Sequence, residues 1–258
     1  MKKVIRMVML SAMMFWGAQA MAQTRGAVFF GASVPTGEYA KFDNMSDFAL
    51  TTPNATYAGA AVGFNAGIKW YFNVGVKGLG AMLSIDGIYN GPNSDLKTAY
   101  RSGEVENGFG SLASGSSKYE ATPKFINVPA MLGVNYIYEI NPNFSVFAET
   151  GLGGNYRAIT RMEHVGKLEV LGVETQQNTT QKYDGTFSFA WQIGAGVEVA
   201  KNLVIGASFY DLGSAEVKGD QTIKRKTSIN NTTTTEEKYL TFGTVRPKMI
   251  LVRIGFSF

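Results

Sequence analysis

The chain has 258 residues, of which 17% are charged, 12% are aromatic and 30 are glycine. Soluble domains carry ~25% charged residues, so this composition favours an all-β protein with many tight turns and large amphipathic side chains. The absence of cysteine excludes a disulfide framework, a lipoprotein anchor and a thiolate metal site. The 24 cationic residues exceed the 20 acidic ones, but three of the cations lie in the first six residues. The rest of the chain is therefore nearly neutral, and this near-neutrality argues against a nucleic acid partner.

Residues 1–22 have the organisation of a secretory signal peptide. Three cations precede a short apolar run over residues 7–18, and the Ala-Met-Ala triplet at 20–22 provides a small-x-small cleavage site. A transmembrane anchor would need ~18–20 apolar residues, which is more than this run provides. We therefore expect export of residues 23–258 as one β-barrel domain.

After residue 23 the sequence alternates between apolar and polar residues in eight segments, and helical periodicity is scarce. The predicted strands are residues 25–34, 58–72, 78–90, 123–139, 143–157, 185–200, 203–214 and 246–258. Segments of this kind indicate β-strands that have one apolar and one polar face.

The connections between these strands alternate in length. Short turns lie at 73–77, 140–142 and 201–202, and long polar segments lie at 35–57, 91–122, 158–184 and 215–245. This alternation predicts an all-β fold: a closed eight-stranded antiparallel up-and-down transmembrane β-barrel with short periplasmic turns and long extracellular loops. In the last loop, 216–227 and 233–244 flank Asn230-Asn231, which predicts a hairpin that extends the barrel wall.

The two faces of the strands indicate which side meets lipid. In 185–200 the odd positions, such as Phe189, Trp191 and Ile193, are apolar, whereas the even positions carry Ser, Ala, Gln, Gly and Glu. The even face is too rich in small residues for a solvated exterior but suits the crowded lumen of a small barrel. We therefore expect the apolar face to meet lipid, in a closed barrel because hydrocarbon cannot satisfy open strand edges. A soluble exported barrel or lipocalin-like binder is the alternative fold.

The aromatic residues separate into two tiers, as expected of interfacial girdles. The residues assigned to the membrane interfaces are Trp70, Phe72, Tyr136, Tyr138 and Trp191, with Tyr57, Tyr89, Phe125, Tyr156, Phe187, Tyr210 and Phe242 near the long loops. Chain direction reverses from strand to strand, yet each tier stays at one end of the barrel.

The same strand phases direct five charged residues into the lumen. They are Lys69, Asp86, Glu149, Glu198 and Arg253, surrounded by Asn65, Asn127, Asn135, Ser145, Ser188 and Gln192. An unpaired buried charge is costly, so we expect an ion-paired network in which Arg253 neutralises carboxylates such as Glu149 or Glu198. Such a network would form a polar plug. An ion or small-solute path that opens when the pairs rearrange, and a proton-linked switch, are the alternatives.

Two short segments resemble those of a known family. The last strand ends in Phe258, with Ile254 and Phe256 at alternate positions before it, and it resembles the signal read by the outer-membrane barrel assembly machinery. Residues 125–134, FINVPAMLGV, resemble a strand common in small outer-membrane β-barrel proteins of the Bacteroidetes type. Overall the chain is similar to the eight-stranded class that includes the OmpA transmembrane domain, OmpX and the opacity proteins.

This resemblance implies a location in the bacterial outer membrane and contact with outer-membrane lipid. It also implies assembly by the barrel assembly machinery. Pro129 removes a ladder donor within a strand, and the resemblance implies that a bulge tolerates it. Within that family, extracellular loops act in envelope integrity, adhesion or binding of protein partners, and we expect the same of this chain. A narrow porin-like channel for ions or small solutes is the alternative function.

The sequence gives little support for catalysis or for a cofactor. His164 is the only histidine, and no nucleophile motif adjoins it, so we expect neither enzymatic activity nor a cofactor. A single histidine without cysteine also excludes ordinary zinc sites. The basic stretch 223–227, IKRKT, is interpreted as a solvated hairpin face or as a contact for lipopolysaccharide phosphates.

Overall fold

The computed structural model describes residues 24–41, 58–94, 113–170, 173–200, 202–228 and 232–258. The predicted signal peptide, Tyr57 and the predicted Asn230-Asn231 turn lie outside these residues. In the described part of the chain, no helix has the length and apolar character needed to cross a membrane.

The described residues form thirteen strands and a short 3₁₀ helix at Gly37–Tyr39. In chain order the strands are β1 (Thr24–Thr36), β2 (Gly63–Asn73), β3 (Leu79–Asn90), β4 (Ala113–Ala121), β5 (Phe125–Asn141), β6 (Phe144–Ile159), β7 (Met162–Val170), β8 (Val173–Tyr183), β9 (Thr186–Val199), β10 (Leu203–Asp211), β11 (Ala215–Thr227), β12 (Thr233–Val245) and β13 (Lys248–Ser257). They belong to two sheets, a barrel and an extension of its wall.

Eight strands close into a barrel in the order β1-β13-β10-β9-β6-β5-β3-β2, and β2 pairs with β1 to complete the circle. All neighbouring pairs are antiparallel. The predicted eight-stranded up-and-down barrel is therefore confirmed. The short connections β2–β3, β5–β6 and β9–β10 lie at one end, and the long connections lie at the other.

The barrel exposes its apolar face and encloses its polar face. Phe189 is 65% exposed and Ile254 is 46% exposed, whereas Glu198 and Arg253 are 7% and 4% exposed. A soluble barrel would place its apolar side chains inside, so this exterior is suited to hydrocarbon and matches a transmembrane barrel.

The other five strands form a second sheet in the order β12-β11-β8-β7-β4. Each continues within a few residues into a barrel strand, so the sheet extends the wall beyond the end that carries the long connections. The hairpin β11–β12 was predicted, but β4, β7 and β8 were not, and the prediction of loops over 91–122 and 158–184 is wrong where these strands lie. Strand β8 reads VETQQNTTQKY, which is polar on both faces and therefore lacks amphipathic alternation.

Pro129 does not lie at a bulge, contrary to what the resemblance implied. The β3–β5 pairing runs Ile85↔Ala130 and then Ile88↔Asn127, in the same register on both sides of a two-residue gap. The missing proline N–H therefore interrupts the ladder without shifting it. Among the described barrel pairs, the register shift of β5 lies at Glu139/Asn141.

Candidate functional site in the barrel lumen

Four charged side chains from four strands meet inside the barrel. Arg253 on β13 bonds Asp86 on β3, with NH1 and Oδ1 2.9 Å apart, and its NH2 lies 3.6 Å from Oε1 of Glu149 on β6. Lys69 on β2 forms an ion pair with the same Glu149 oxygen. The cluster balances two cations against two carboxylates, and each of its four residues is at most 4% exposed.

Hydroxyl groups complete the cluster. Tyr210 donates to Asp86 Oδ2 over 2.7 Å, and Arg253 NH2 donates to Ser208 Oγ over 2.8 Å. Ser208 in turn donates to Glu149 Oε1 over 3.3 Å. Charged groups in a buried network need such partners, because each lone pair or proton left unsatisfied is costly.

Small residues and two aromatic rings, those of Phe29 and Tyr210, shape the space around these charges. The Phe29 ring lies 5.3 Å from both Lys69 Nζ and the Arg253 guanidinium carbon, within the range of cation–π attraction. A Cβ built on Gly67 would lie 2.0 Å from Asp86 Oδ1, and one on Gly194 would lie 2.3 Å from Ser208 Oγ. Glycines on neighbouring strands therefore leave the room that the charged side chains occupy.

Glu198 does not join this cluster, although the sequence placed it within reach of Arg253. Its carboxylate pairs with Arg25, whose NH2 lies 2.6 Å from Oε1 and whose NH1 donates to Oε2 over 2.7 Å. This second ion pair lies at the end of the barrel that carries the short turns, where β1 begins and β9 ends. Of the two carboxylates expected as alternative partners of Arg253, the structure places Glu149 beside it, whereas Glu198 pairs with Arg25.

Arg157 was missed by the sequence analysis. It is 1% exposed and, among the described residues, has no carboxylate within salt-bridge distance. Its NH1 donates to the Val245 carbonyl over 2.8 Å and its NH2 to the Gly213 carbonyl over 3.1 Å, while Nε donates to Asn127 Oδ1 over 3.4 Å. Gly213 joins β10 to β11 and Val245 ends β12, so Arg157 fixes both ends of the β11–β12 hairpin to β6.

The uncharged polar residues assigned to the lumen also face inward. Asn65, Asn127, Asn135 and Gln192 are buried. Asn65 donates to the Ala32 carbonyl over 2.9 Å, and Asn155 donates to Asn127 Oδ1 over 3.1 Å. The lumen also contains apolar side chains: Ile88, Met131, Met249 and Leu251 are buried in one hydrophobic cluster with Tyr210, so polar and apolar groups share the interior.

The assigned interfacial aromatics lie on the outer surface. Tyr136 and Tyr138 are exposed and Trp70 and Phe72 are partly exposed, all near the short turns. Trp191 lies in the half towards the long connections, with its ring 5.5 Å from that of Phe209.

Two aromatic residues assigned to the tier near the long loops have side chains inside the barrel instead of on its outer surface. Phe125 packs edge-on against Tyr39 at 5.6 Å, and Tyr210 is fully buried against Asp86. Their assignment to the interface is wrong, because position along the strand sets the height of a side chain whereas strand phase sets its face. The side chain of Phe242 and all of Tyr57 lie outside the described residues.

The last strand presents Ile254, Phe256 and Phe258 on the outer surface, where all three are exposed. Phe258 and Gly26 exchange two backbone hydrogen bonds of 2.9 and 3.0 Å. A Cβ on Gly26 would lie 2.6 Å from the Phe258 ring, so the terminal aromatic ring packs directly over this glycine.

His164 lies on β7, opposite Thr179 on β8 and Tyr119 on β4. Burial lowers the pKa of the His164 imidazole below its ordinary value. In the described part of the chain, no three His, Asp or Glu side chains converge as metal ligands would.

No protein-family model and no curated protein matches the chain. Among solved structures it is similar to Ail, the attachment invasion locus protein of Yersinia pestis, in complex with the heparin analogue sucrose octasulfate, with 13% identity over 92% of this chain and 99% of that chain and a TM-score of 0.37. It is also similar to Neisserial surface protein A, with 8% identity, 91% and 95% coverage and a TM-score of 0.41. A third structure, the outer membrane protein OprG of Pseudomonas aeruginosa, shows 12% identity, 91% and 95% coverage and a TM-score of 0.38.

At these identities the likeness concerns the fold alone. The assignment of the fold rests on the ring of antiparallel strand pairs, on the apolar exterior and on the ion-paired interior. The chain is a small eight-stranded β-barrel of the outer-membrane type.

Proposed function

We propose that the protein is an integral protein of a bacterial outer membrane whose lumen is plugged and whose working surface is its extracellular sheet. The observation that carries this proposal is the burial of Lys69, Asp86, Glu149 and Arg253 in one balanced cluster across the lumen. Solvent reaches at most 4% of each residue, which supports a plug rather than a water-filled pore. The protein acts in envelope integrity, adhesion or binding of protein partners, and not as an enzyme.

The test of the plug is the conductance of the purified protein in planar bilayers. We expect no steady single-channel steps from the native protein, and steps would overturn the plugged lumen. The variant Arg253→Ala is the positive comparison. It removes the side chain that crosses the lumen, so single-channel steps are expected from this variant.

The test of the working surface is a barrel in which a short turn replaces residues 214–246. Cells that carry this variant should keep a folded barrel, seen as heat-dependent migration in detergent gels, and should lose binding to surfaces or partner cells. Unchanged binding would exclude the β11–β12 hairpin from that surface. A matched control shortens only the β5–β6 turn at the opposite end.

A narrow channel for ions or small solutes is the second candidate. It is favoured by a cavity of about 750 Å³ that opens at the short-turn end and reaches Tyr71 and Asn135. Tyr71 donates to Glu149 over 3.5 Å, so this cavity ends beside the ion-paired cluster. The bilayer measurement separates this candidate from the plug.

We also propose that the outer face of the extracellular sheet contacts lipopolysaccharide phosphates. Strand alternation divides the IKRKT stretch: Arg225 faces inward and donates to Gln177 over 2.8 Å, whereas Lys224 and Lys226 are exposed on the other face. Among the described residues, neither lysine has a carboxylate within salt-bridge distance. Changing both lysines to Gln should weaken lipopolysaccharide binding, whereas Lys238→Gln, whose lysine pairs with Glu236 at 2.5 Å, should not.

The exposed Ile254, Phe256 and Phe258 support a role as the signal for the barrel assembly machinery. Under this proposal Phe258→Ala lowers the amount of protein assembled in cells but leaves refolding of the purified protein into detergent intact. Equal losses in both assays would assign Phe258 a purely structural role.

A further inference from the structure

Three barrel strands are not continued by the extracellular sheet. Strands β5, β6, β9, β10 and β13 each join a strand of that sheet within a few residues. At the same end of the barrel, the described residues next to β1, β2 and β3 are 37–41, 58–61 and 91–93. We name these three segments together the lid.

Backbone hydrogen bonds join the three segments of the lid to each other. The Gly59 N–H donates to the Lys41 carbonyl over 2.8 Å, and the Ala61 N–H donates to the Gly91 carbonyl over 2.7 Å. The Asn93 N–H donates to the Gly59 carbonyl over 2.7 Å. The segments are therefore connected as one unit, although they are far apart in the sequence.

The lid is firmly attached to the side of the barrel formed by β1 and β3. Asn90, the last residue of β3, donates from Nδ2 to the Ala61 carbonyl over 2.9 Å and to Ser33 Oγ on β1 over 3.1 Å. The chain leaves β1 through Gly37, whose φ of +61° is a conformation that favours glycine. This side has the features of a hinge.

One tyrosine attaches the lid to the opposite wall. Strand β6 lies opposite β1 in the ring of eight strands, and β5 lies beside β6. Tyr39 is 1% exposed, and its ring packs edge-on against Phe125 of β5 at 5.6 Å. Asn127 Nδ2 donates to the Tyr39 hydroxyl over 3.5 Å, which is long for a hydrogen bond. This attachment is therefore weaker than the shorter bonds on the hinge side.

The lid and the ion-paired cluster lie at different heights in the lumen. Met249, Leu251 and Arg253 occupy successive inward positions of β13, and the first two are buried in one cluster with Tyr39. Met249 and Arg253 are about 13 Å apart along the strand, at ~3.3 Å per residue. The lumen is thus closed twice, by the lid at its mouth and by the charges below.

We propose that the lid is a hinged gate, held shut by Tyr39, that admits ions and small solutes to the space above the ion-paired cluster. Opening breaks the contacts of Tyr39 with Phe125 and Asn127 and keeps the bonds of the hinge side. The gate acts in series with the proposed plug, so the native barrel stays closed to through-flow when the lid opens. Only the naming of this end as extracellular rests on the proposed orientation.

The proposal is tested by the accessibility of an introduced thiol. Since the chain has no cysteine, Met249→Cys provides a single thiol beneath the lid. The probe is 2-sulfonatoethyl methanethiosulfonate, added to the folded protein in nanodiscs. We expect slow but complete modification of Met249→Cys. Adding Tyr39→Ala should raise the rate about tenfold, the effect of losing one aromatic contact and one hydrogen bond, and adding Tyr39→Phe, which keeps the ring, should raise it less.

Two controls separate an open lid from a loosened barrel. Ser145→Cys lines the cavity at the short-turn end, beyond the ion-paired cluster, and its modification rate should not change when Tyr39→Ala is added. Tyr239→Ala, which changes a 61% exposed tyrosine outside the lid, should not alter the rate of Met249→Cys. Heat-dependent gel migration verifies that each variant is folded.

Three results overturn the gate: no modification of Met249→Cys in the folded barrel, equal rates with and without Tyr39→Ala, or an equal acceleration at Ser145→Cys. In planar bilayers, Arg253→Ala combined with Tyr39→Ala should show longer open periods than Arg253→Ala alone, and equal open periods also contradict a gate in series. Single-channel steps from the native protein would overturn the plug but would leave the thiol measurement as a separate test of the lid.

Discussion

Arg253 and Asp86 lie 167 residues apart in the sequence, yet their NH1 and Oδ1 atoms are 2.9 Å apart in the lumen. The pair joins the last strand of the barrel, β13, to β3 on the far side of β1 and β2. It connects strands that share no backbone hydrogen bond and so resists deformation of the cylinder.

Replacing Arg253 by Ala should destabilise the barrel strongly. The change leaves Asp86 and Glu149 with Lys69 as the remaining cation of the cluster, and breaking a buried pair costs about 3–5 kcal/mol. The free energy of unfolding, measured by urea titration in detergent micelles, checks this. Lys167→Ala is the control, because Lys167 and its partner Glu174 are both half-exposed and breaking this pair should cost at most about 1 kcal/mol. Similar losses in both variants would contradict the network.

Gly67→Ala should lower stability or prevent barrel closure, because its Cβ would lie 2.0 Å from Asp86 Oδ1. Gly87→Ala is a matched control on the adjacent strand: its Cβ points outward and meets only the Ala66 carbonyl at 3.7 Å. Thermal unfolding followed by heat-dependent gel migration compares the two variants. A stable Gly67→Ala variant would show that Asp86 can leave the cluster.

Arg157→Gln should loosen the extracellular hairpin while leaving the barrel folded. Gln cannot reach both the Val245 and Gly213 carbonyls, so the base of β11–β12 loses its attachment to β6. Trypsin should then cleave at 224–226 several times faster than in the native protein. Arg161→Gln, in which a 64% exposed side chain is changed, should leave the cleavage rate unchanged, and equal rates in all three proteins would refute the role of Arg157.

The extracellular sheet should lose stability as the pH falls below about 6.5. Burial lowers the pKa of His164 in the folded sheet, whereas the unfolded imidazole titrates near ~6.5. The unfolded state therefore binds the proton first, and stability is full above that pH and declines below it. Hydrogen exchange of β7 and β8 between pH 5 and 7.5 measures this, in a window where carboxylates, with pKa near ~4, stay ionised. The His164→Gln variant should show a flat profile.

The barrel could be predicted from the sequence because its strands have two contrasting faces and its connections alternate in length. The inward positions of Lys69, Glu149 and Arg253 followed from the phase of their strands. Arg25 and Tyr210 could not be placed, since β1 and β10 mix small and aromatic residues on both faces and leave the phase ambiguous.

Other features depend on contacts that no local pattern contains. Arg157 binds backbone carbonyls, and any residue type could supply those. The partner of Glu198 depended on which cation is nearer at the short-turn end. Strand β8 is polar on both faces, so its pairing with β7 and β11 determines its structure. Strand β7, MEHVGKLEV, does alternate, but this signal was missed inside a long polar segment.

The seam between β1 and β13 consists of ten residue pairs contributed by the first and last strands of the cylinder. Without β13, a nascent chain cannot close the ring. It also lacks the Arg253 guanidinium, so Asp86 and Glu149 would share the Lys69 ammonium as their counter-ion. Under the proposed outer-membrane location, we expect assembly to be all-or-none: the polypeptide stays unfolded until its final strand arrives. Shortened translation products are then cleared by envelope proteases instead of accumulating as partial barrels.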